Sequence, residues 1–298
     1  MFTELHQIKT KDNIPLEGLL FKPSGKKLAA VFWVGGLSSR FSKSPQRTFA
    51  LAQILGKAGV AFAIFDHRGF GTINTVKIQV GKNKKHVLAG TGFEKFEHSI
   101  FDIEAVIRFL RKQGYKKIFL LGHNTGANKS AFYIWKRNGR GLSGVGLLGP
   151  LSDIPILKKD LGRKYRVALD TARKMMAKRQ SKELLPFSLV NGGFWSAERF
   201  WSIAREKSNE DTFPYYDPKR TFRWTNNVRL PILVLIVEQD QYADRPTDEI
   251  LKRFKKEIPP RWFNGILLKN ADHNFTSEEN ELAYKLRKWV VNTVKNNN

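Results

Sequence analysis

The chain has 298 residues, enough for one large α/β domain or two small ones, each with a sizeable core. Hydrophobic residues at 41% and aromatics at 12% exclude a disordered chain, and the absence of cysteine excludes disulfides, thiolate nucleophiles and cysteine metal sites. The formal charge of +25 would suit an anion-attracting surface, but the basic residues are spread along the chain and no zinc finger, helix-turn-helix or RNA-binding aromatic signature organises them.

In chain order, apolar runs around Leu5–Lys9 and Pro15–Phe21 flank Lys11-Asp12-Asn13, a hairpin-turn signal. Leu28–Val34 is almost wholly apolar, as a strand buried on both faces should be, and it ends in Gly35-Gly36. Phe49, Ala52, Leu55 and Ala58 recur at helical spacing and predict a helix over Pro45–Ala58. Val60–Phe65 is a second buried strand, followed by Asp66-His67-Arg68-Gly69. Thr72–Lys95 is polar and glycine-containing, and reads as a long loop or small excursion. A helix over Glu97–Gln113 is stopped by Gly114. The strand Lys117–Leu121 then runs into Gly122-His123-Asn124-Thr125-Gly126 and a helix over Thr125–Arg137, with another strand at Leu142–Leu148.

From Ser152 to Asn227 the alternation breaks. Helical pieces such as Tyr165–Arg179 and Ala197–Glu206 carry Trp, Phe and Met, and turn-formers such as Asn191-Gly192-Gly193 separate them. This segment reads as a helical insertion, most of whose aromatics form its own core. A strand at Ile232–Val237, a helix at Asp248–Lys256, a strand at Gly265–Leu268 and a helix at Glu278–Lys295 complete the chain. The expected architecture is α/β, a mostly parallel central sheet flanked by helices, with core residues 1–151, a helical cap 152–227 and core residues 228–298. No apolar stretch approaches the roughly 20 residues of a membrane span. Met1–Gln7 lacks the basic-then-apolar pattern of a secretory leader, so a cytoplasmic location is expected.

Open α/β sheets bind ligands beyond the carboxyl ends of their strands, and four strands here end in residues of interest. Gly35-Gly36-Leu37 follows one, Asn124 a second, Asp240 a third and His273 the last. Gly122-His123-Asn124-Thr125-Gly126 has the frame of the G-x-S-x-G nucleophile elbow, with asparagine where serine would stand, and the order elbow, acid, histidine matches that motif's own order. In this frame His273 is the general base, because imidazole side chains exchange protons near neutral pH. Asp240 would fix its tautomer, with Asp244, Asp248 and Glu238 as competitors. The backbone N–H groups of Thr125 and Leu37 would face a developing oxyanion. Gly35, Gly36, Gly122 and Gly126 permit close backbone approach, and His123 reads as a packed support residue. Asp66 and Arg68 read as structural, bonding backbone in the loops. His67, His86, His123 and His273 show no metal-ligand spacing, so no metal or other cofactor is expected.

These residues give the chain a resemblance to the α/β-hydrolase superfamily over essentially its whole length, and to a branch of siderophore-esterase-like hydrolases. The resemblance rests on Val34-Gly35-Gly36-Leu37, Gly122–Lys129, Gly149-Pro150-Leu151-Ser152-Asp153, Glu183-Leu184-Leu185-Pro186, Ala197–Phe200, Asp240-Gln241-Tyr242 and Ala271–Phe275. It implies a carboxylic-ester hydrolase with Asp240 and His273 in a triad, Leu37 and Thr125 as oxyanion donors, and serine at position 124. The chain departs from the pattern there. An amide has no proton for a base to remove and a delocalised lone pair, so serine-esterase activity should be absent or strongly reduced. A non-catalytic protein binding a small ester or acyl ligand is one alternative. Deamidation of Asn124 to an aspartate nucleophile is another, which the β-branched Thr125 should slow. Ser130 and Ser152 are poor substitutes, Ser130 lying along the helix away from the tip. No specific nucleic-acid partner is expected, and oligomeric state is not legible.

Overall fold

The computed structural model describes residues 1–296. Ten strands and eight α-helices alternate along them: β1 (Phe2–Lys9), β2 (Pro15–Lys22), β3 (Ala29–Val34), α1 (Pro45–Gly56), β4 (Val60–Phe65), β5 (Asn74–Val80), β6 (Asn83–Ala89) and α2 (Ser99–Lys112). Then follow β7 (Ile118–His123), α3 (Thr125–Arg137), β8 (Gly144–Leu148), α4 (Asp153–Leu161), α5 (Lys164–Ala177), α6 (Ala197–Ala204), β9 (Ile232–Val237), α7 (Thr247–Glu257), β10 (Phe263–Leu268) and α8 (Glu279–Asn296). Eight strands form one sheet in the order β1-β2-β4-β3-β7-β8-β9-β10, parallel from β4 onward and antiparallel at β1 and β2.

The central strands are apolar throughout because both faces of the sheet are covered. In β9, Ile232, Val234 and Ile236 enter one core while Leu233, Leu235 and Val237 enter the other. Each such side chain contributes about 1.5–3 kcal/mol of burial. Helices α2, α3 and α7 cover the first face through Ile103, Leu110, Ala127, Ala131, Ile250 and Phe254. Helices α1 and α8 cover the second through Leu51, Leu55, Leu282, Leu286 and Val290. Between β8 and β9, the helices α4 to α6 gather a third cluster around Tyr165, Ala168, Ala172, Phe200 and Ile203.

Two elements differ from the sequence reading. The segment from Thr72 is a small excursion rather than a long loop, and it is built of strands: β5 and β6 pair antiparallel from Asn74↔Ala89 to Val80↔Asn83 as a separate two-stranded hairpin. Only Val76 and Ala89 of its strands are buried, so the usual apolar alternation is diluted by lysines on an exposed ribbon. Helix α4, beginning just after Ser152, was also not foreseen; Pro155 in its first turn obscures the helical pattern while being sterically tolerated there. Among the described residues no helix is long and apolar enough to cross a membrane.

Candidate active site

The parallel strands bring their carboxyl ends to one edge, where Gly35-Gly36-Leu37, Asn124, Gly149, Asp240 and His273 converge. Asn124 is the single residue between β7 and α3, at φ +58° and ψ −131°. That conformation costs a non-glycine residue on the order of 1–3 kcal/mol and persists only where the surroundings impose it. Here the Asn124 N–H donates to the Leu148 carbonyl at 3.0 Å, and the Asn124 carbonyl accepts from the Ala127 N–H at 2.8 Å. Gly122 and Gly126 are needed on either side. A Cβ on Gly122 would collide with the Gly126 carbonyl, and one on Gly126 with the Val34 carbonyl of β3.

The predicted acid and base meet. His273 Nδ1–H donates to Asp240 Oδ2 at 2.6 Å, with both side chains buried. Asp240 Oδ1 accepts from the Tyr242 N–H at 3.0 Å, which orients the carboxylate. Gln241 Oε1 accepts the His273 N–H at 3.0 Å, and the Tyr242 ring stands edge-on to the imidazole, 5.0 Å between centroids. Asp244 instead pairs with Arg245, and Asp248 with Lys252 on the outer face of α7. His123 Nε2–H donates to the His273 carbonyl at 2.8 Å. Burial, reinforced by Arg47, holds the His123 imidazole well below its ordinary 6.5, so it is a neutral strut.

Asn124 engages both halves of this apparatus. Its Nδ2 donates to His273 Nε2 at 2.7 Å, and its Oδ1 accepts the Thr125 N–H at 2.6 Å. The imidazole therefore carries its proton on Nδ1, and the N–H expected to face an oxyanion is taken by the asparagine's own oxygen. Gly36 lies against the same amide: a Cβ there would be 2.6 Å from Asn124 Oδ1. Leu37 follows in a tight turn, and its N–H has no hydrogen-bond partner among the described residues. Ser130 Oγ is spent on the Gly126 carbonyl within α3, and the Ser152 N–H donates to the Tyr215 hydroxyl.

The loop after β4 departs from expectation. Asp66 does bond backbone, accepting the Phe41 N–H at 2.7 Å. Arg68 is instead held by two carboxylates, Asp102 at 2.7 Å and Asp12 at 2.8 Å, because a guanidinium fork is matched by carboxylates better than by single carbonyls. His67 Nε2–H reaches the Gly36 carbonyl at 3.2 Å, while its Nδ1 accepts from the Gly69 N–H and from Lys129 Nζ at 3.1 Å each. Lys129, buried on α3, pairs with buried Glu94 at 2.5 Å. Above them Arg199 of α6 holds Glu210 in a two-pronged pair at 2.5 and 2.8 Å. Glu94, Lys129, Arg199 and Glu210 were missed in the sequence. Only Lys129 left a trace, as a cation on the inward face of α3 beside Gly126 and Phe132. Among the described residues no group of three His, Asp or Glu side chains is placed to hold a metal ion.

The fold has close counterparts among solved structures. Siderophore hydrolase EstB from Aspergillus fumigatus superposes with a TM-score of 0.71 at 16% identity, over 98% of each chain. DcsB in complex with its substrate analogue gives 0.68 at 14% identity, over 99% of this chain and all of the other. Est1E from Butyrivibrio proteoclasticus gives 0.62 at 14%, over 98% and 99%. No curated protein matches the sequence. The architecture is thus the α/β-hydrolase fold. Residues 83–297 match the family described as "Protein of unknown function (DUF1749)", and this chain belongs to that family.

Proposed function

We propose that this protein carries a carboxylic-ester-hydrolase site whose nucleophile position is held by Asn124, so that serine-type turnover is absent or strongly reduced while a small ester or acyl ligand can still be accommodated. The observation that carries this reading is the bridge from Thr125 N–H through the Asn124 amide to His273 Nε2 and on to Asp240. A serine hydroxyl at the same tip would lie beside the same imidazole nitrogen and leave the Thr125 N–H for an oxyanion, with Leu37 as second donor. Asparagine occupies both positions and offers no transferable proton. In this reading residues 152–227 form the cap over the site, between core segments 1–151 and 228–298. The likeness of fold to the siderophore hydrolase EstB supports the reaction class.

The test is Asn124→Ser assayed on short-chain aryl esters. The protein as it stands should remain near the uncatalysed rate. Since losing a triad nucleophile costs about a million-fold in a serine protease, the serine variant should gain on the order of a thousand-fold or more. A folded Asn124→Ser variant with no gain would overturn the reading. The non-catalytic alternative predicts saturable binding of the acid product without turnover in the unaltered protein.

A further inference from the structure

The +25 charge has no role in the site above, and although its basic residues are spread along the chain, four of them line one groove on the helical segment. A cavity of about 850 Å³ opens between the end of α4, the start of α5 and the end of α6. Lys158, Arg163, Arg166 and Arg205 line it, against a single carboxylate, Glu206. Glu206 is occupied by Lys158 at 2.7 Å, whereas Arg163 and Arg166 have no ion-pair partner among the described residues. Asp211, the next acid nearby, is taken by Arg220 at 2.6 Å. That leaves Arg163, Arg166 and Arg205 without an ion-pair partner among the described residues around one open space, and such a gathering of like charge is relieved by a bound anion.

Three further observations have the same sign. The Arg205 guanidinium stacks over the Trp201 ring at 5.1 Å, which fixes the plane of its fork at the edge of the cavity. Helix α5 opens beside the cavity with no capping side chain and no acid in its first turn, and of its first N–H groups that of Tyr165 is taken by the Gly162 carbonyl at 3.2 Å. Leu169 and Tyr165 supply an apolar floor, with the Tyr165 hydroxyl already donating to the Ala204 carbonyl. Arginine forks and a helix N-terminus match the geometry of phosphate, and the volume falls within the roughly 300–1,000 Å³ of small-molecule sites. None of the lining residues belongs to the candidate catalytic set.

We propose that the cavity between α4, α5 and α6 binds a small phosphate-bearing molecule through Arg163, Arg166 and Arg205. The experiment is calorimetric titration of the full chain with inorganic pyrophosphate at low and moderate salt. One saturable site is expected, weakened roughly tenfold or more by the exposed pair Arg163→Ala and Arg166→Ala, since each lost arginine fork removes charge-assisted hydrogen bonds. The control is Lys285→Ala with Lys288→Ala, which removes the same charge from the far groove beside α8 and should leave the affinity unchanged. Arg205→Lys should weaken binding without altering thermal stability. No saturable binding would overturn the proposal, and so would equal losses in both double variants, which would mean general charge attraction.

Discussion

At the residue scale, the single amide of Asn124 satisfies a backbone donor, the Thr125 N–H, and an imidazole acceptor, His273 Nε2. The hydrogen bond from the Thr125 N–H points at Oδ1, which engages the nitrogen that would have to attack the amide carbon during deamidation. Peptide mass spectrometry of the purified protein should therefore show asparagine at 124, without the mass gain of deamidation. Gly36 is the steric gate of the same amide. Gly36→Ala should destabilise the protein by about 1–3 kcal/mol, the usual cost of overpacking, and should also abolish whatever turnover Asn124→Ser gains. Unaltered unfolding midpoints in denaturant would show that the two residues do not press on each other.

At the element scale, a chain of buried charges ties the helical segment to the loop bearing Gly36. It runs from Arg199–Glu210 on the α6 side through Glu94 and Lys129 of α3 to His67 and the Gly36 carbonyl. Burial alone would raise the Glu94 carboxyl, but the neighbouring Lys129 and Arg199 cations help bring it down to about 2, so it is ionised and committed to them. Asn128 joins the same region, donating to the Glu210 carbonyl at 3.2 Å. Breaking one member leaves its partner charged and dry. Lys129→Met should cost about 3–5 kcal/mol in urea unfolding, and adding Glu94→Gln should recover much of that loss. A double variant no more stable than the single one would mean that the pair is not coupled.

At the scale of the whole molecule, two buried histidines cost stability as the pH falls. Burial, with Lys129 next, lowers His67 from 6.5 to about 3, and burial with Arg47 lowers His123 further than its ordinary range. Both are neutral when folded and gain protons when unfolded below pH 6.5. Their contribution is therefore complete above 6.5 and lost as pH falls toward 3, by up to about 1.4 kcal/mol per pH unit for each group. Asp153, pushed up by burial to about 8, and Asp66, pushed up to about 6, gain stability as the pH falls over the same range, so the test is a difference. His67→Gln should make the urea midpoint fall less, or rise more, between pH 7 and 5 than in the unaltered protein, and an unchanged slope would contradict the assignment. Much of the molecule was legible beforehand: strands β4 and β9 and helix α3 begin and end where their apolar runs and flanking turns predict, and the order Asn124, Asp240, His273 placed the candidate site. The β5–β6 ribbon was only half legible: Val76, Ile78 and Val80 alternate with Lys77 and Gln79 in β5, but β6 opens on Asn83-Lys84-Lys85-His86 and carries no such period. The sequence by itself determined the alternating α/β architecture and the absence of a hydroxyl at the elbow, since both depend on residue type and local spacing. Only the tertiary structure decided that the asparagine amide closes onto Thr125 and His273 and that Glu94, Lys129, Arg199 and Glu210 form a buried chain. Those contacts join residues up to 149 positions apart, and their energies exist only once the fold has removed water from between them.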